Sequence, residues 1–537
     1  MKLPDFSDDA APEFGNAAEC KDWLQTVALA NVAAAQRELL GELEEFNRFA
    51  AKPADRLATL ETLREAVHFV QVEQVKKYAN RALPMTEAET AAFDDAYELW
   101  EQMQVGYSHC LVAALGGDGV KSQSALICQR VLAYLGLKML CSYRAYHEVP
   151  KRDWRALHEA YAAAEKLRAA EDAVKDPMNR DVHDSSPRIA YARAVLMGLA
   201  SPNELGQRAL SFVDFLLERW ANKLEVSRKP LDEGEGLAPL TVDLAGEACP
   251  ERINGAAPAE NLRFLDTRSL AKSLRNRVAL LRKGESPQKL ALGDDCVQPS
   301  CEQQLVHLFR QWCQARPPRA ADRKRAATGA QVCNEFAAIH YYIGGKGFHQ
   351  PVEAKELTQQ EREQIATFGH VSKREEDDYS NVHGFMVEPW EIEDESAQGL
   401  RIVRKADTPG KRYANGQLVA VRPADAKSFM LGQVRWLMAA EGGDLQAGVK
   451  ILAGVPAAVS IRATGLNATT EKFVQAMALG AVAAINQPIT LVLPSGWFKP
   501  KRVIELAMNN AEQKVSLAEV VERGSDFERV TYERAAS

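Results

Sequence analysis

Apolar residues change their spacing once along this chain of 537 residues, and the change limits the folds open to it. From about 18 to 225 they recur at helical intervals, as in helices that bury one face. Leu24, Val27, Ala28, Leu39, Leu40 and Leu43 keep one stripe. Pro53 opens a segment with Leu57, Leu60, Leu63, Val67 and Val70 on one face. Thr86-Glu-Ala-Glu89 has the spacing of a capping box. Leu126, Val131, Leu132, Leu135, Leu137, Met139 and Leu140 form the most apolar stretch, expected at the centre of a bundle. Ser186-Pro187 and Ser201-Pro202 each set Ser as N-cap before Pro in a first helical turn. Trp154, Tyr161 and Tyr191 suggest paired helices, yet no repeat of about 34 residues runs through the region. The expectation is an all-α bundle or irregular solenoid.

Past residue 225 the pattern breaks into Pro/Gly/acidic stretches, Ser227–Pro230, Asp232–Gly236 and Asn254–Pro258, around one short strand at Leu240–Leu244. Two helices follow, one after Asp266-Thr267 and one from Cys301 to Arg316. Strand-like runs then dominate: Gln331–Ile343, Trp390–Val403, Leu418–Val421, Phe429–Leu437 and Leu445–Leu452. The tail reads as an α element at Glu471–Gly480 and strands at Pro488–Leu493, Arg502–Met508 and Phe527–Tyr532. The fold class is therefore multidomain α + β. The expected organisation is a helical domain at 1–225, a linker at 226–262, a helical pair at 263–316, a β-barrel at 317–465 with a polar insertion at 351–378, and a β/α segment at 466–537, either extra strands or a second small barrel.

Composition narrows the function classes. The net charge of −7 opposes general nucleic-acid binding and a polybasic membrane anchor. Nine cysteines lie scattered without a C-x-x-C, and Cys296 and Cys301 form the closest pair; free, mostly buried thiols in a reducing cytoplasm are expected. No apolar leader and no run of about eighteen apolar residues occurs, so membrane insertion is not expected and the chain is assigned to the cytoplasm.

The strongest motif is the turn in Trp390-Glu-Ile-Glu-Asp394-Glu-Ser396-Ala-Gln-Gly399-Leu-Arg-Ile-Val403, which contains D-x-S-x-x-G. Upstream stand Arg319 and Arg323 as R-x-x-x-R, ahead of a strand-like run. Downstream come Gly432-Gln-Val-Arg-Trp436 and Gly448-Val-Lys-Ile-Leu452. Read by its own chemistry, the turn is a hairpin in which Asp and Ser bond backbone N–H groups and Gly supplies positive φ. In order and type, the series resembles PilZ domains, receptor modules for cyclic di-GMP, over about 315–465. One departure stands out: Arg323 and Asp394 lie 71 positions apart, more than in the usual pattern, the excess being the polar insertion with an expected short helix at Thr358–Ala366.

The resemblance implies a ligand set of Arg319, Arg323, Asp394, Ser396 and Gly399, with Lys324 and Arg325 as possible additions. Arginine suits a dinucleotide of guanine, since its fork binds phosphate, pairs with the O6/N7 edge and stacks on the base. It implies no cofactor, no metal and no catalytic residue, hence a signalling protein rather than an enzyme. Its ligand would be cyclic di-GMP and its helical domain would engage a protein partner. The alternative is a degenerate PilZ-like scaffold that binds protein only. The glycine clusters Gly116–Gly119 and Gly344–Gly347 match no phosphate-binding motif, the second reading as a hairpin turn, and His340, His349, His370 and His383 follow no metal-ligand spacing.

Overall fold

The computed structural model describes residues 3–230, 240–253, 258–294, 296–297, 300–314, 324–350, 379–396, 398–464, 472–508 and 511–535, with 324–327 as backbone. The chain divides into two compact units: Met1–Arg81 with Met85–Arg319, and Ala82–Pro84 with Ala320–Ser537.

The first unit contains α1 (Ala17–Leu24), α2 (Val32–Arg48), α3 (Pro53–Tyr78), α4 (Glu87–Gly116), α5 (Ser124–Arg144), α6 (Lys151–Lys166), α7 (Pro187–Leu199), α8 (Gln207–Trp220), α9 (Arg268–Arg282) and α10 (Ser300–Cys313). Helix α5 packs against α4, α6 and α7 and forms the centre. Ile127, Val131, Leu132, Leu135 and Met139 on it are all buried. It is apolar and long enough to cross a membrane by length and composition, yet most of it lies inside the bundle. The capping box at α4 is present, with Thr86 Oγ1 accepting from Glu89 N and the Glu89 carboxylate accepting from Thr86 N. Ser186 caps α7 through Ile189 N. Ser201 caps no α-helix; Pro202–Glu204 is a single 3-10 turn. Tyr161 stacks on Tyr191 with ring centroids 4.2 Å apart, joining α6 to α7.

Charges are buried in this bundle as a connected set. Arg64 Nη2 lies 2.6 Å from Asp176 Oδ1, and Arg130 Nη1 lies 3.4 Å from Asp176 Oδ2. Gln129 Nε2 donates to Asp176 Oδ2 at 2.9 Å, and Arg130 Nε donates to Glu61 Oε1 at 2.8 Å. Asp176 sits on the hairpin of β1 (Val174–Lys175) and β2 (Asp184–Ser185).

The stretch expected to be a linker with one strand is a sheet. Strands β3 (Glu225–Ser227), β4 (Leu240–Asp243), β5 (Glu251–Arg252) and β6 (Leu262–Asp266) pair in the order β3-β6-β4-β5. Leu240, Val242, Leu244 and Leu265 enter the same core as the helices, so apolar burial outweighs the Pro/Gly content of the intervening loops. Cys296 and Cys301 are joined as a disulfide, which corrects the expectation of free thiols for that pair; the other seven cysteines are free and, apart from the half-buried Cys249, buried.

The second unit holds two closed barrels. The first contains β7 (Lys324–Cys333), β8 (Glu388–Ser396), β9 (Gly399–Arg404), β10 (Leu418–Pro423), β11 (Met430–Ala439) and β12 (Leu445–Ile451), in the order β10-β11-β12-β9-β8-β7. Helix α11 (Phe336–Gly344) follows β7. The second contains β13 (Pro456–Ala463), β14 (Val474–Leu479), β15 (Thr490–Pro494), β16 (Val503–Met508), β17 (Ala511–Arg523) and β18 (Phe527–Arg534), in the order β13-β14-β15-β18-β17-β16. Closure leaves neither sheet a free edge.

Two local expectations are corrected here. The run Gln331–Ile343 is strand only to Cys333; from Phe336 it is helix, and Gly345 ends that helix in the left-handed region at φ 65 rather than turning a hairpin. The helical reading of Glu471–Gly480 fails because Val474–Leu479 pairs with both β13 and β15, and pairing outweighs the helix propensity of Ala, Met and Leu. Helix α11 wedges between the barrels. Its Ile339 shares a cluster with Leu418, Leu431 and Leu452 of the first and Met477, Leu479 and Phe527 of the second. His340 Nε2 lies 3.1 Å from Val459 O, a packing role.

The turn before β18 also joins the barrels. Ser525 N donates to Gly416 O at 2.9 Å, and Asp526 Oδ1 accepts from Leu418 N at 2.9 Å. Burial pushes the Asp526 carboxyl up to about 6. A raised acid contributes stability while protonated, below its unfolded value near 3.9, and loses it as pH rises through the folded value. Asp526→Asn is therefore expected to stabilise the protein at pH 8 by about 1–3 kcal/mol, an advantage that vanishes below about pH 4. Urea unfolding at the two pH values checks this; equal effects at both would contradict it.

Candidate ligand site on the first barrel

The D-x-S-x-x-G turn joins β8 to β9. Ser396 pairs with Gly399 across a two-residue loop, and Ser396 Oγ donates to Gly399 O at 3.2 Å. The hydroxyl thus closes the loop. Gly399 is required for a different reason than positive φ, which it does not have. A Cβ there would stand 2.7 Å from the Val449 carbonyl oxygen on β12. Gly399→Ala is accordingly expected to cost about 1–3 kcal/mol by overpacking, read as a lowered urea midpoint; an unchanged midpoint would show that β12 gives way.

Strand register brings distant residues together. Lys324 is opposite Glu395 and Arg325 opposite Asp394 where β7 meets β8. Asp394 is opposite Arg401 on β9. Arg401 is opposite Gly448 on β12, and Gly448 opposite Trp436 on β11. Arg325, Asp394, Arg401, Gly448 and Trp436 therefore form one row across five neighbouring strands. Cross-strand partners share a face, and for Asp394, Arg401 and Gly448 it is the outer one, since Leu400 and Ile402 on either side of Arg401 are buried. A Cβ on Gly448 would collide with the Trp436 indole, so this glycine lets the ring lie against the sheet.

The face carries both charges. Arg401 Nε lies 2.9 Å from Glu393 Oε2, and its Nη2 donates to Gln446 Oε1 at 2.9 Å. Glu391, Glu393 and Glu395 are exposed on β8. Arg319 and Arg323 fall outside the described residues, as does the insertion at 351–378 with the helix expected there and His370; in sequence Arg323 immediately precedes Lys324. His349 and His383 make local contacts, to Gly347 O at 2.8 Å and to the Tyr379 ring at 4.0 Å.

A second polar cluster lies inside the barrel. Arg404 Nη1 is 2.6 Å from Glu388 Oε2, which also accepts from Tyr413 Oη at 3.1 Å. Both charged side chains are buried. Their role is to hold the barrel, with Trp390 packed edge-on against Tyr413.

Sequence reasoning missed Arg401 and Trp436 as members of this face. Arg401 lies two positions past Gly399, on the same side of the strand, which was a usable signal. Trp436 was noted only as part of a closing strand. Its place depends on β12 lying between β9 and β11, an order the chain does not announce.

Two comparisons with known proteins bear on this architecture. The family profile described as "Cyclic-di-GMP receptor FimW, N-terminal domain" matches residues 18–231, within the helical unit. The profile "FimW C-terminal beta-barrel domain" matches residues 459–535, the second barrel. A curated relative, "Cyclic-di-GMP receptor FimW" of Pseudomonas aeruginosa, is 21% identical over 98% of this chain and 91% of its own length. Those matches and the PilZ resemblance of the first barrel point to the same class of protein. The chain is thus similar to FimW in its N-terminal domain, in its C-terminal barrel and in an alignment along nearly its whole length.

Proposed function

We propose that this chain is a cytoplasmic cyclic di-GMP receptor that holds the dinucleotide on the outer face of its first barrel. The observation that carries this reading is the register at β7 and β8. It sets Lys324 and Arg325, just after the R-x-x-x-R motif, beside Glu395 and Asp394 of the D-x-S-x-x-G motif. Lys324, the next residue after Arg323, is opposite Glu395 although Arg323 and Asp394 are 71 positions apart in the chain. The named ligand of the FimW relative supports the same assignment.

In this reading Arg319 and Arg323 clamp phosphate or the O6/N7 edge of guanine, with Lys324 and Arg325 adding positive charge. Asp394 accepts from guanine N–H groups. Ser396 and Gly399 shape the loop so that its backbone meets the ligand, and Arg401 and Trp436 extend the face with a guanidinium plane and an indole suited to stacking. None of these roles is chemical transformation. The helical unit carries the occupied state to a protein partner.

Calorimetric titration of the full chain with cyclic di-GMP tests the assignment. Saturable heat is expected, weakened by about 1.5–3 kcal/mol for Arg319→Ala or Arg323→Ala, the worth of a hydrogen bond to a charged group. Affinity should fall with added salt. Absence of heat at tens of micromolar ligand would overturn the receptor reading in favour of a scaffold that binds protein only.

A further inference from the structure

The helical unit contains a cavity of about 340 Å3 between α3, α5, α7, α8 and the β1–β2 hairpin. None of the residues of the barrel face lines it. Much of its wall is apolar, including Val75, Leu137, Leu140, Ala194 and Met197. Its edge reaches solvent at Val72 and Arg180, both exposed.

The charges around it do not cancel in their contacts. Asp176 is held by Arg64 at 2.6 Å and Asp214 by Arg193 at 2.8 Å. Glu218 accepts from the backbone N–H of Asp181 at 2.7 Å and of Val182 at 3.2 Å, and Asp184 is paired with Lys175 at 2.5 Å. Every lining carboxylate is thus engaged. Arg180, in contrast, makes no hydrogen bond or ion pair among the described residues. The imidazole of His68, which also lines the cavity, is held below its ordinary value by burial and then by Arg64 and Arg180, with Asp176 opposing. A chamber with an apolar wall on one side, paired charges on the other, and an exposed arginine without a hydrogen bond or ion pair at its mouth suits a molecule with an apolar body and one anionic head.

We propose that this cavity is a second ligand site, for a small amphipathic anion whose apolar body lies against Val75, Leu140 and Met197 and whose carboxylate or phosphate head meets Arg180. No residue of the barrel face lines the cavity, so the site is independent of that face.

The test uses anilinonaphthalene sulfonate as the probe, with the full chain. Saturable fluorescence enhancement is expected. Gly136→Leu fills the cavity from the middle of α5; a Cβ there meets only the Ala194 Cβ, at an ordinary 3.5 Å, and replacing a mid-helix glycine favours the helix. This variant should weaken the probe at least about tenfold, while retained helical ellipticity shows that it folds. Arg180→Gln, at an exposed position, should weaken the sulfonate several-fold and leave the neutral phenylnaphthylamine unchanged. Displacement by decanoate assigns a carboxylate head, and displacement by octyl phosphate a phosphate head. Probe binding insensitive to both variants, or displaced by cyclic di-GMP, would overturn the proposal. Neither result would alter the calorimetric titration of the barrel site, so the two assignments fail separately.

Discussion

Asp176→Ala is expected to destabilise the helical unit by about 3–5 kcal/mol, the cost of leaving buried charges without their partner. Two guanidinium groups, Arg64 and Arg130, converge on this carboxylate from α3 and α5, and both are buried. Removing it strands them in the bundle core, with Glu61 left to answer both. The pH dependence has a definite sign. Burial raises the Asp176 carboxyl, but Arg64 and Arg130 more than reverse this and hold it below the usual carboxylate value. A depressed acid contributes stability above its unfolded value near 3.9 and loses it as pH falls through the folded one. The wild-type advantage over Asp176→Ala should thus be full at pH 7 and shrink in acid below about pH 4. Thermal unfolding followed by helical ellipticity reads this. A loss under about 1 kcal/mol would mean that water replaces the carboxylate, making the network a surface feature.

The second large effect belongs to the first barrel. Glu388→Ala should cost about 3–5 kcal/mol, because Arg404 would remain buried without its carboxylate and Tyr413 Oη would lose its acceptor. Glu388→Gln keeps an acceptor for Tyr413 and should cost less. Urea unfolding read by tryptophan fluorescence separates the two; equal losses would show that shape rather than charge is what Arg404 requires.

Helix α5 was legible in the sequence because a long apolar run with helical spacing has few other uses in such a bundle. The cap at Thr86 and Glu89 was legible because both residues act within one turn. The sheet at 225–266 was not, since its strands are two to five residues long and take their stability from a core built by other segments. Strand β14 was misread because Gln475, Ala476, Met477 and Ala478 suit a helix until neighbours on both sides claim their backbone. The run 331–343 is rich in apolar residues on both sides of Asn334 and Glu335, so composition does not mark the switch from strand to helix. At the candidate site, Asp394, Ser396 and Gly399 were legible as one turn. The reason for Gly399 was not, because Val449 lies fifty positions away in sequence and its carbonyl is what excludes a side chain. Buried arginines on α3 and α5 were equally hidden, since each looks like a solvated residue until the hairpin carrying Asp176 folds over them.

Hydrogen exchange of the full chain with and without cyclic di-GMP, read by mass spectrometry, tests most directly where the ligand sits. The account predicts slowed exchange in peptides covering 316–332 and 388–404, where β7, β8 and the turn before β9 meet, with no protection at 174–194 around the helical cavity. Absence of any protection, or protection confined to 18–231 with the barrel strands unchanged, would contradict it.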